Sequence, residues 1–388
     1  MSDEAGVKRV ERSCDGDACE PSERVRDWVD GPAPSEAEPE AGGGAPPDAP
    51  DGLSCCDVEE YLARNAAVRA ALELPENASV KVKLLARGEY NANFSFVHPT
   101  MGERLLLRVN LGSQMHLDDQ IGYEAHALKL LEPSGRTPRV LFVDSSKSYF
   151  GKGVLVEQWL PGRPLSYDTD LDVAAEILAD VHAVALPEDH GLVEPCDPLG
   201  AVVDECEAMF AVHRRWSDAD PRTIERIDRL FARARNLASE PYAPLRRHIV
   251  STELNSRNFL VNEEGASYLV DWEKPVAGEV EQDLAHFLAP TTTFWKTETV
   301  LDAYAIDRFI EAYERAVAGR FEVGGIRVRT TAYLTVTCLR GLTWCAMAYA
   351  QHKAGERSVA DAYTLAKVEA YLGDEFLSFI EREYYGLA

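Results

Sequence analysis

The stretch STELNSRNFLVNEEGASYLVDWEKP, residues 251–275, decides how the chain folds and where its chemistry lies. It begins as a polar loop that carries Glu253 and Asn258, five residues apart, and continues into the apolar run FLV. A turn, EEG, and a second apolar run, YLV, complete a short hairpin that ends at Asp271. Because the second strand returns to the edge where the first began, the sequence predicts that these three polar residues meet at one edge.

These residue types suit phosphoryl transfer. A carboxylate and an amide oxygen, as in Asp271 and Asn258, are ligands that the hard cation Mg²⁺ prefers. A second carboxylate, Glu253, can face an acceptor hydroxyl. Glu273 can contact the metal or the acceptor, or it can form an ion pair with Lys274 or a nearby arginine.

The order of these residues resembles the aminoglycoside phosphotransferase and choline kinase group, which shares the protein-kinase fold. That family carries His-x-Asp-x-x-x-x-Asn, an apolar run, and then Ile/Val-Asp-Trp/Phe. The resemblance implies that Asn258 and Asp271 hold the metal and that Glu253 occupies the catalytic position. The following GEVEQDLAHFLAP is similar to the family's Gly-Asp-Pro-x-x-Asp-Leu-Ala, which implies that Asp283 braces the catalytic loop.

The resemblance extends upstream, so that it covers roughly residues 80–380. Gly88, in RGEYNANFSF, falls where the family's phosphate-covering hairpin belongs, although this segment is poor in glycine. Arg108 falls at the position of the third-strand cation, and Glu124 matches the helix glutamate that pairs with it.

The run VLVEQWLPG is similar to the family's interlobe hinge, which holds adenine by backbone hydrogen bonds. This similarity implies that Glu157, Gln158 and Trp159 lie at the nucleotide base. ATP and Mg²⁺ are therefore the cofactors that the resemblance implies.

The sequence departs from the family pattern at Glu253, where the family has Asp, and at Ser251, where it has His. The extra methylene lengthens the reach of the carboxylate by about 1.5 Å, and misplacement of that size can cost ~100-fold in rate. Three interpretations follow: a working variant, a site that binds nucleotide with little turnover, or transfer of a different group from ATP. His248, three residues upstream, could replace the missing histidine.

Each of these residues also has a simple structural explanation when it is taken alone. Arg108 could lie on a strand surface, Glu124 on a solvated helix face, Asn258 in a turn, and Asp283 at a helix N-cap. Their occurrence in the family's order favours the functional interpretation. His182, in an apolar helical run, is predicted to be a core histidine.

The fold class predicted is α+β: a bilobal protein-kinase-like fold with a small antiparallel β-sheet lobe and a larger, mainly helical lobe. Residues 1–56 read as a disordered acidic tail rich in Pro, Gly and Ala. Residues 57–160 form the predicted nucleotide-binding lobe, with a first helix, a β-meander of three strands, a second helix and two more strands. Residues 161–388 form the predicted helical lobe.

The predicted acceptor site lies on the helical lobe, where Trp295, Trp344 and Tyr349 are candidates to face an ammonium group. Core packing is the preferred explanation for these aromatic residues, because apolar residues surround Trp344. Only eleven residues separate Asp271 from Asp283, too few for the activation segment of a protein kinase, which argues against a protein substrate.

The composition of the chain limits the classes of molecule with which the protein is expected to interact. A formal charge of −25 on 388 residues disfavours nucleic acid, and no apolar run is long enough for a membrane span. The N-terminus lacks the apolar stretch of a signal peptide, so we expect a cytoplasmic protein with free thiols. Cys14, Cys19, Cys55 and Cys56 could form a zinc site, but their spacing is poor for one. The sequence gives no indication of oligomeric state.

Together these features predict an ATP- and Mg²⁺-dependent phosphotransferase that acts on a hydroxyl of a small molecule, such as an amino alcohol or an amino sugar. The alternative is a nucleotide-binding pseudokinase with a regulatory or scaffold role.

Overall fold

A computed structural model describes residues 53–88, 90–240, 246–356 and 362–387. The predicted tail therefore lies outside the described residues, except for residues 53–56. Cys14 and Cys19 of the possible zinc site lie outside them too. The six described cysteines are free thiols, as predicted.

The small lobe is built on a five-stranded antiparallel sheet of order β1-β2-β3-β5-β4, which confirms the predicted meander and the two later strands. Its elements are α1 (Cys55–Arg64), α2 (Ala66–Ala71), β1 (Val82–Arg87), β2 (Asn91–Val97), β3 (Arg104–Asn110), α3 (Gln120–Leu131), a 3₁₀ turn (Glu132–Ser134), β4 (Val140–Asp144) and β5 (Val154–Gln158).

Alternation along β2 and β3 gives the sheet one buried apolar face. Phe94 and Leu107 are paired in register across these strands and are fully buried. Tyr61 and Leu62 of α1 join the same apolar cluster, so α1 covers this face of the sheet. α1 begins at Cys55, two residues before the predicted start.

Helix α3 lies beside β4 and β5 and carries Glu124. Asp119 caps it by accepting a hydrogen bond from the backbone N–H of Gly122, at 3.0 Å. The side chain of Glu124 points from this helix toward β3, where it forms an ion pair with Arg108.

The large lobe is mainly helical and carries two small sheets, one of two strands and one of three. Its elements are β6 (Arg163–Pro164), α4 (Leu171–His182), α5 (Pro198–Arg215), α6 (Pro221–Ser239), β7 (His248–Val250), β8 (Phe259–Val261), β9 (Tyr268–Leu269), β10 (Val276–Gly278), α7 (Val280–Leu288), α8 (Pro290–Lys296), α9 (Ala303–Val317), α10 (Ile326–Lys353), α11 (Ala362–Leu372) and α12 (Asp374–Tyr385).

Helix α10 is the centre of this lobe and packs against α5, α7 and α11. At Gly341 it approaches α8 closely, since a Cβ there would lie 2.5 Å from the Cβ of Thr291. The glycine thereby lets two helices that line the site come together.

Two small antiparallel pairings position the segment 251–275. β7 pairs with β10, and β8 pairs with β9, so the chain leaves β7, forms the loop, and returns beside it. The β8–β9 hairpin confirms the predicted pairing of FLV with YLV. The helix that Asp283 could have capped is α7, but it begins at Val280, so Asp283 lies in its first turn and is not its cap. The β7–β10 pairing and α8 were not predicted.

Two predicted helices are each divided in the structure. The run 57–72 breaks at Asn65, whose side chain caps α2. The run 361–386 breaks at Gly373, which lies between α11 and α12 with extended backbone. Apolar periodicity continued through both breaks and hid them. Within the described ranges, every helix is too short or too polar to cross a bilayer.

Candidate active site

The loop between β7 and β8 is held by one buried carboxylate, Asp283 at the start of α7. Its two oxygens accept hydrogen bonds from the backbone N–H groups of Ser251, at 2.8 Å, and Thr252, at 2.7 Å. Thr252 has a φ of 67°, a region that costs a β-branched residue free energy. The bonds to Asp283 and a bond from the Thr252 hydroxyl to the carbonyl oxygen of Lys274 hold it there.

His182 of α4 contacts the carboxylate of Asp283. It is fully buried, as a core histidine should be, and its Nε2 lies 3.2 Å from an Asp283 oxygen. Its Nδ1 lies 2.7 Å from the hydroxyl of Tyr313. His182 therefore does more than fill space in the core, because it also contacts Asp283, the residue that holds the loop.

Asn258 and Asp271 face each other across the base of the hairpin. Asn258 accepts a hydrogen bond from the backbone N–H of Asn255, at 2.8 Å, and donates from its amide nitrogen to Asp271, at 3.3 Å. Asp271 has a φ of 71°, and nearly half of its side chain is exposed to the cleft. Strained backbone of this kind is common at ligand-binding positions.

Glu253 is anchored through one oxygen. Its Oε1 accepts hydrogen bonds from Gln114 and from Arg340, each at 2.6 Å, and lies 3.9 Å from the ammonium of Lys274. No described side chain donates to Oε2. Burial would raise the pKa of Glu253, but Arg340 and Lys274 outweigh it and hold that pKa below its usual range.

Arg340 on α10 is the hub behind Glu253. It donates to both oxygens of Glu205, at 3.0 and 3.2 Å, and its Nη1 lies 3.5 Å from Nε2 of His286. Burial and the guanidinium lower the pKa of His286 to about 4, so the imidazole is neutral. Its Nδ1 carries the proton, because the partner there is the carbonyl oxygen of Leu254.

Glu205 completes this network. Lys274 donates to it at 2.7 Å. Burial would raise the pKa of Glu205, yet Arg340 and Lys274 lower it to about 2. Two cations therefore balance two carboxylates, Glu205 and Glu253, in the half-buried wall of the cleft.

Arg108 and Glu124 form a buried ion pair, at 2.5 Å, which excludes a strand-surface or solvated-helix explanation for them. Arg108 also lies 3.4 Å from Asp271, so it links the two lobes. Burial raises the pKa of Glu124 to about 7 against the pull of Arg108, and the nearby carboxylates of Glu157 and Asp271 add to the rise.

Glu273 lines the cleft on the side of the small lobe. It accepts a hydrogen bond from the amide of Asn91 on β2, at 2.5 Å, and its carbonyl accepts one from Gln120. Burial and the adjacent Asp271 raise the pKa of Glu273 to about 8. Lys274 pairs with Glu205 and not with Glu273.

The hinge residues differ from the prediction in detail. Glu157 is buried, and burial raises its pKa although Arg108 lowers it, so its side chain belongs to the Arg108 cluster. The backbone N–H of Gln158 is bonded to the carbonyl of Arg139 and is not available to a base. The guanidinium of Arg104 covers the ring of Trp159, at 3.9 Å from the ring centre.

Some of these groups line a cleft of about 390 Å³ between the lobes. Its described lining includes Gly88, Tyr90, Asn91, Asn93, Gln114, Glu253, Asn255, Asp271, Glu273, Lys274, His286, Thr291, Thr292, Trp295, Thr337, Arg340, Gly341, Trp344, Cys345 and Tyr371. The structure thus brings Gly88, Glu253 and Asp271 to one space, with Asn258 and Arg108 bonded to Asp271 at its side.

Two further sequence-based interpretations can be compared with the structure. Trp295 and Trp344 line the cleft, whereas Tyr349 packs on Trp216 elsewhere. His248 does not reach the loop, since its Nδ1 lies 2.6 Å from the carbonyl of His182 and burial lowers its pKa to about 4.

Sequence reasoning missed Arg340, Gln114, Glu205 and Asn91. Arg340 lies 87 residues beyond Glu253, inside a helix that reads as apolar. The available signal was Arg340 inside an otherwise apolar stretch of its helix, because a buried charge requires a partner.

The donor set suits a magnesium nucleotide. Asn258 and Asp271 offer two oxygen ligands, and a nucleotide's phosphates usually supply others. No group of three or more His, Cys, Asp or Glu residues that could hold a metal ion occurs among the residues that the structure describes. Nε of Arg108 is buried without a partner in the described chain, and it can serve an anion.

Known proteins of similar fold were found by structure. A spectinomycin phosphotransferase in complex with ADP and spectinomycin is 12% identical, with a TM-score of 0.58, and the match covers 86% of this chain and 99% of that one. Choline kinase LicA from Streptococcus pneumoniae is 17% identical, with a TM-score of 0.53, over 83% of this chain and 99% of that one.

An ethanolamine kinase from Plasmodium vivax is 14% identical, with a TM-score of 0.54, over 82% of this chain and 90% of that one. These likenesses show the bilobal kinase-like fold that was predicted. A search of curated proteins by sequence found no significant match. The sequence profile of the phosphotransferase enzyme family matches residues 81–319, which is more than half of the chain and contains Glu253, Asn258, Asp271 and Asp283. The chain therefore belongs to the phosphotransferase enzyme family.

Proposed function

We propose that this protein is a kinase of small molecules, which transfers a phosphoryl group from Mg-ATP to an acceptor hydroxyl. The observation that carries the proposal is that Glu253 and Asp271 line one cleft and Asn258 is hydrogen-bonded to Asp271 at its side. Asp283 holds the loop that carries Glu253 and Asn258 by two backbone hydrogen bonds. Family membership supports phosphotransfer as the class of reaction.

The small lobe and the hairpin would bind the nucleotide. Asp271 and Asn258 would hold Mg²⁺, which neutralises charge on the phosphates when it is bound. Arg108 would contact the phosphates, and Glu124 keeps its guanidinium in place. Gly88 would let the β1–β2 hairpin approach the phosphates, and the backbone at Trp159 would hold the base.

Glu253 would orient the acceptor hydroxyl through its unoccupied oxygen. Because Arg340 and Lys274 hold its pKa low, the carboxylate is ionised at neutral pH and is a weak base. Phosphoryl transfer passes through a loose transition state that asks little of a base before the bond to phosphorus forms. Glu253 therefore acts first by positioning the hydroxyl and accepts its proton late.

A small-molecule acceptor agrees with two observations. The solved relatives are named for spectinomycin, choline and ethanolamine as substrates. Between Asp271 and Asp283 the chain passes directly through β10 into α7, which leaves no extended segment to dock a protein substrate.

Thermal stabilisation by Mg-ATP, measured together with ATP consumption over a panel of small hydroxyl compounds, tests the proposal. Glu253→Gln should lower kcat by about 100-fold or more with little change in nucleotide binding. Asp271→Asn should weaken Mg-nucleotide binding. The matched control is Glu264→Gln, an exposed acid in the turn of the same hairpin, which should behave as wild type.

The outcomes separate the proposal from its alternative. Stabilisation by Mg-ATP without turnover on any acceptor would favour a nucleotide-binding pseudokinase. No stabilisation by nucleotide would reject both. Full activity in Glu253→Gln would show that Glu253 does not have the role given to it.

A further inference from the structure

Residues 273–275, which we name the strap, connect the end of the β8–β9 hairpin to β10 and lie outside both strands. The strap begins two residues after Asp271, so its position influences where that carboxylate lies. Two of its carbonyl oxygens accept hydrogen bonds from α3, a helix of the small lobe. The first residue accepts from the side-chain amide of Gln120 and the last from the hydroxyl of Tyr123, each at 2.6 Å. The small lobe thereby holds the segment behind a proposed metal ligand.

The middle residue of the strap is bound from the opposite direction. The carbonyl oxygen of Lys274 accepts a hydrogen bond from the hydroxyl of Thr252, at 2.8 Å. Thr252 precedes Glu253 in the loop between β7 and β8, and the ammonium of Lys274 lies 3.9 Å from the carboxylate of Glu253. The strap therefore contacts the catalytic loop on one side and α3 on the other.

Gln120 is bound at both ends of its amide and is buried, with only 4% of its surface exposed. Its nitrogen donates to the strap, and its oxygen accepts a hydrogen bond from the hydroxyl of Ser113, at 2.6 Å. That hydroxyl accepts one in turn from the backbone N–H of Leu117, at 2.8 Å. Gln114, the next residue of this loop, donates to Glu253 at 2.6 Å. A reversed amide would bring two oxygen atoms together at the strap, so these hydrogen bonds fix one orientation of Gln120.

One face of α3 carries all of these connections. Gln120, Tyr123 and Glu124 are three and four residues apart, the spacing that places side chains on the same side of a helix. Glu124 pairs with Arg108 on β3, at 2.5 Å. The hydroxyl of Tyr123 also accepts a hydrogen bond from the backbone N–H of Val193, at 3.0 Å, which adds a second contact with the large lobe. The first turns of α3 thus bind the strap and hold the proposed phosphate-binding cation.

We propose that Gln120 is a positioning residue for phosphoryl transfer, which holds the strap behind Asp271 and the loop that carries Gln114 in one fixed relation. Tyr123 supports the strap at its other end. Because one arm of this network leads to Asp271 and the other to Glu253, Gln120 sets the separation between the metal and the acceptor hydroxyl. The inference rests on the proposed kinase function. Neither Gln120 nor Tyr123 is among the described residues that line the cleft, so both act through the residues that they hold.

The two carboxylates depend on this support for physical reasons. Asp271 has a φ of 71°, and nearly half of its side chain is exposed to the cleft, so its surroundings leave it adjustable. Removing an outer contact that orients a metal ligand typically lowers metal affinity or activity by ~10–100-fold. At Glu253, an error of about 1 Å in the placement of reacting groups can cost ~100-fold in rate.

Binding of ADP to the full chain, measured by calorimetry with Mg²⁺ and again with EDTA, tests the arm that leads to Asp271. The ratio of the two affinities, the Mg²⁺ factor, reports the metal site and needs no acceptor. Gln120→Met keeps the length of the side chain and removes both hydrogen bonds, and it should lower the Mg²⁺ factor by about 10-fold. Tyr123→Phe keeps the ring and removes one hydroxyl, and it should lower the factor by about 3-fold. Binding of ADP in EDTA should stay as in the wild type.

The second arm is tested by phosphoryl transfer to an acceptor that turns over. Ser113→Ala removes the hydroxyl that joins Gln120 to the loop of Gln114, but it leaves the bond from Gln120 to the strap. It should lower kcat by about 10-fold with a wild-type Mg²⁺ factor, whereas Gln120→Met should lower both, with kcat reduced by about 100-fold. The two arms are thereby separated by two readouts.

The matched control is Tyr385→Phe. The hydroxyl of Tyr385 donates to the carbonyl oxygen of Thr335, at 2.7 Å, and joins α12 to α10. This variant loses one hydrogen bond to a carbonyl oxygen, as Tyr123→Phe does, so it should lower the urea midpoint while kcat and the Mg²⁺ factor stay as in the wild type. If Gln120→Met does not fold, Tyr123→Phe decides the proposal, because it keeps the packing of the side chain.

The outcomes distinguish this inference from the proposed function. A wild-type protein whose ADP binding is strengthened by Mg²⁺, with the same Mg²⁺ factor in folded Gln120→Met and Tyr123→Phe, overturns the positioning role and leaves the kinase standing. A lower urea midpoint with unchanged Mg²⁺ factor and kcat shows that Gln120 serves stability alone. A wild-type protein that binds no ADP rejects the kinase and the positioning role together.

Discussion

Arg340 joins Glu253 to the large lobe, and replacing it by methionine tests that connection. Arg340→Met keeps the length and much of the packing of the side chain but removes its charge. The carboxylates of Glu205 and Glu253 would then share one cation, Lys274. We expect a loss of stability and a change in the pH dependence of catalysis.

The magnitude can be estimated in two ways. Breaking a buried ion pair by removal of one partner costs about 3–5 kcal/mol, and the lower end applies here because both carboxylates are partly exposed. In addition, the pKa of Glu205 falls from 4.5 to about 2 in the folded protein. At ~1.4 kcal/mol per pKa unit, its ionised form contributes about 3 kcal/mol at neutral pH.

The sign of the pH dependence follows from these pKa values. In the wild type the pKa values of Glu205 and Glu253 are lowered, so their contribution is present above 4.5 and is lost as the pH falls through the folded values. Without Arg340, burial would raise both pKa values. The variant would then recover stability as the pH falls from about 7.5 to about 5, by roughly 1 kcal/mol.

Urea unfolding at these two pH values measures the stability, and the pH profile of kcat measures the ionisation of Glu253. The acidic limb of that profile should move to higher pH in the variant. The control is Arg64→Met, because Arg64 is largely exposed and pairs with Glu60 at 2.6 Å on the surface of α1, where such a pair contributes under ~1 kcal/mol. A penalty no larger than that of the control, or an acidic limb that does not move, would refute the reasoning.

Three other substitutions test the site. Asp283→Asn can accept only one of two loop N–H groups, so unfolding free energy should fall by about 2 kcal/mol, with a lower kcat; an unchanged urea midpoint would contradict this. Arg108→Met should raise the KM for Mg-ATP and should destabilise the protein more at high pH than at low pH. The reason is that burial already raises the pKa of Glu124 to about 7, so without Arg108 the buried carboxyl is stable only while it is protonated. Thermal melts at several pH values measure this difference. Gln114→Leu removes one hydrogen bond to Glu253 and should lower kcat by about 10-fold with unfolding free energy changed by under ~1 kcal/mol, whereas unaltered kinetics would count against it.

The sheet of the small lobe could be predicted because its strands have a clear pattern. β2 and β3 are rich in aromatic, leucine and valine residues and are separated by a Pro-Thr-Met-Gly turn, so strand propensity and turn signal agree. Helix breaks were harder to predict. Asn65 and Gly373 interrupt apolar patterns that continue on both sides, and only the tertiary contacts decide that the axis changes direction there.

The residues of the candidate site likewise fall into those that the sequence could predict and those that it could not. Residues that lie close in sequence and belong to an ordered pattern, such as Asn258 and Asp271, could be identified before the structure was known. Arg340 and Gln114 could not, because they reach Glu253 from elements that come near it only after the two lobes have packed. Their roles depend on distances that no local pattern records.

The anchoring of Glu253 explains how a glutamate can occupy a position where relatives of this family carry aspartate. An added methylene lengthens the side chain and also adds a rotatable bond, so the risk is loss of orientation as much as overreach. Gln114 and Arg340 both bind Oε1, and Gln114 approaches from the small-lobe side while Arg340 approaches from α10. With one oxygen fixed from two directions, the other has few remaining positions, which is what a shorter aspartate would achieve by its length alone. The longer carboxylate therefore depends on both anchors for its orientation, and we expect the loss of either anchor to lower kcat.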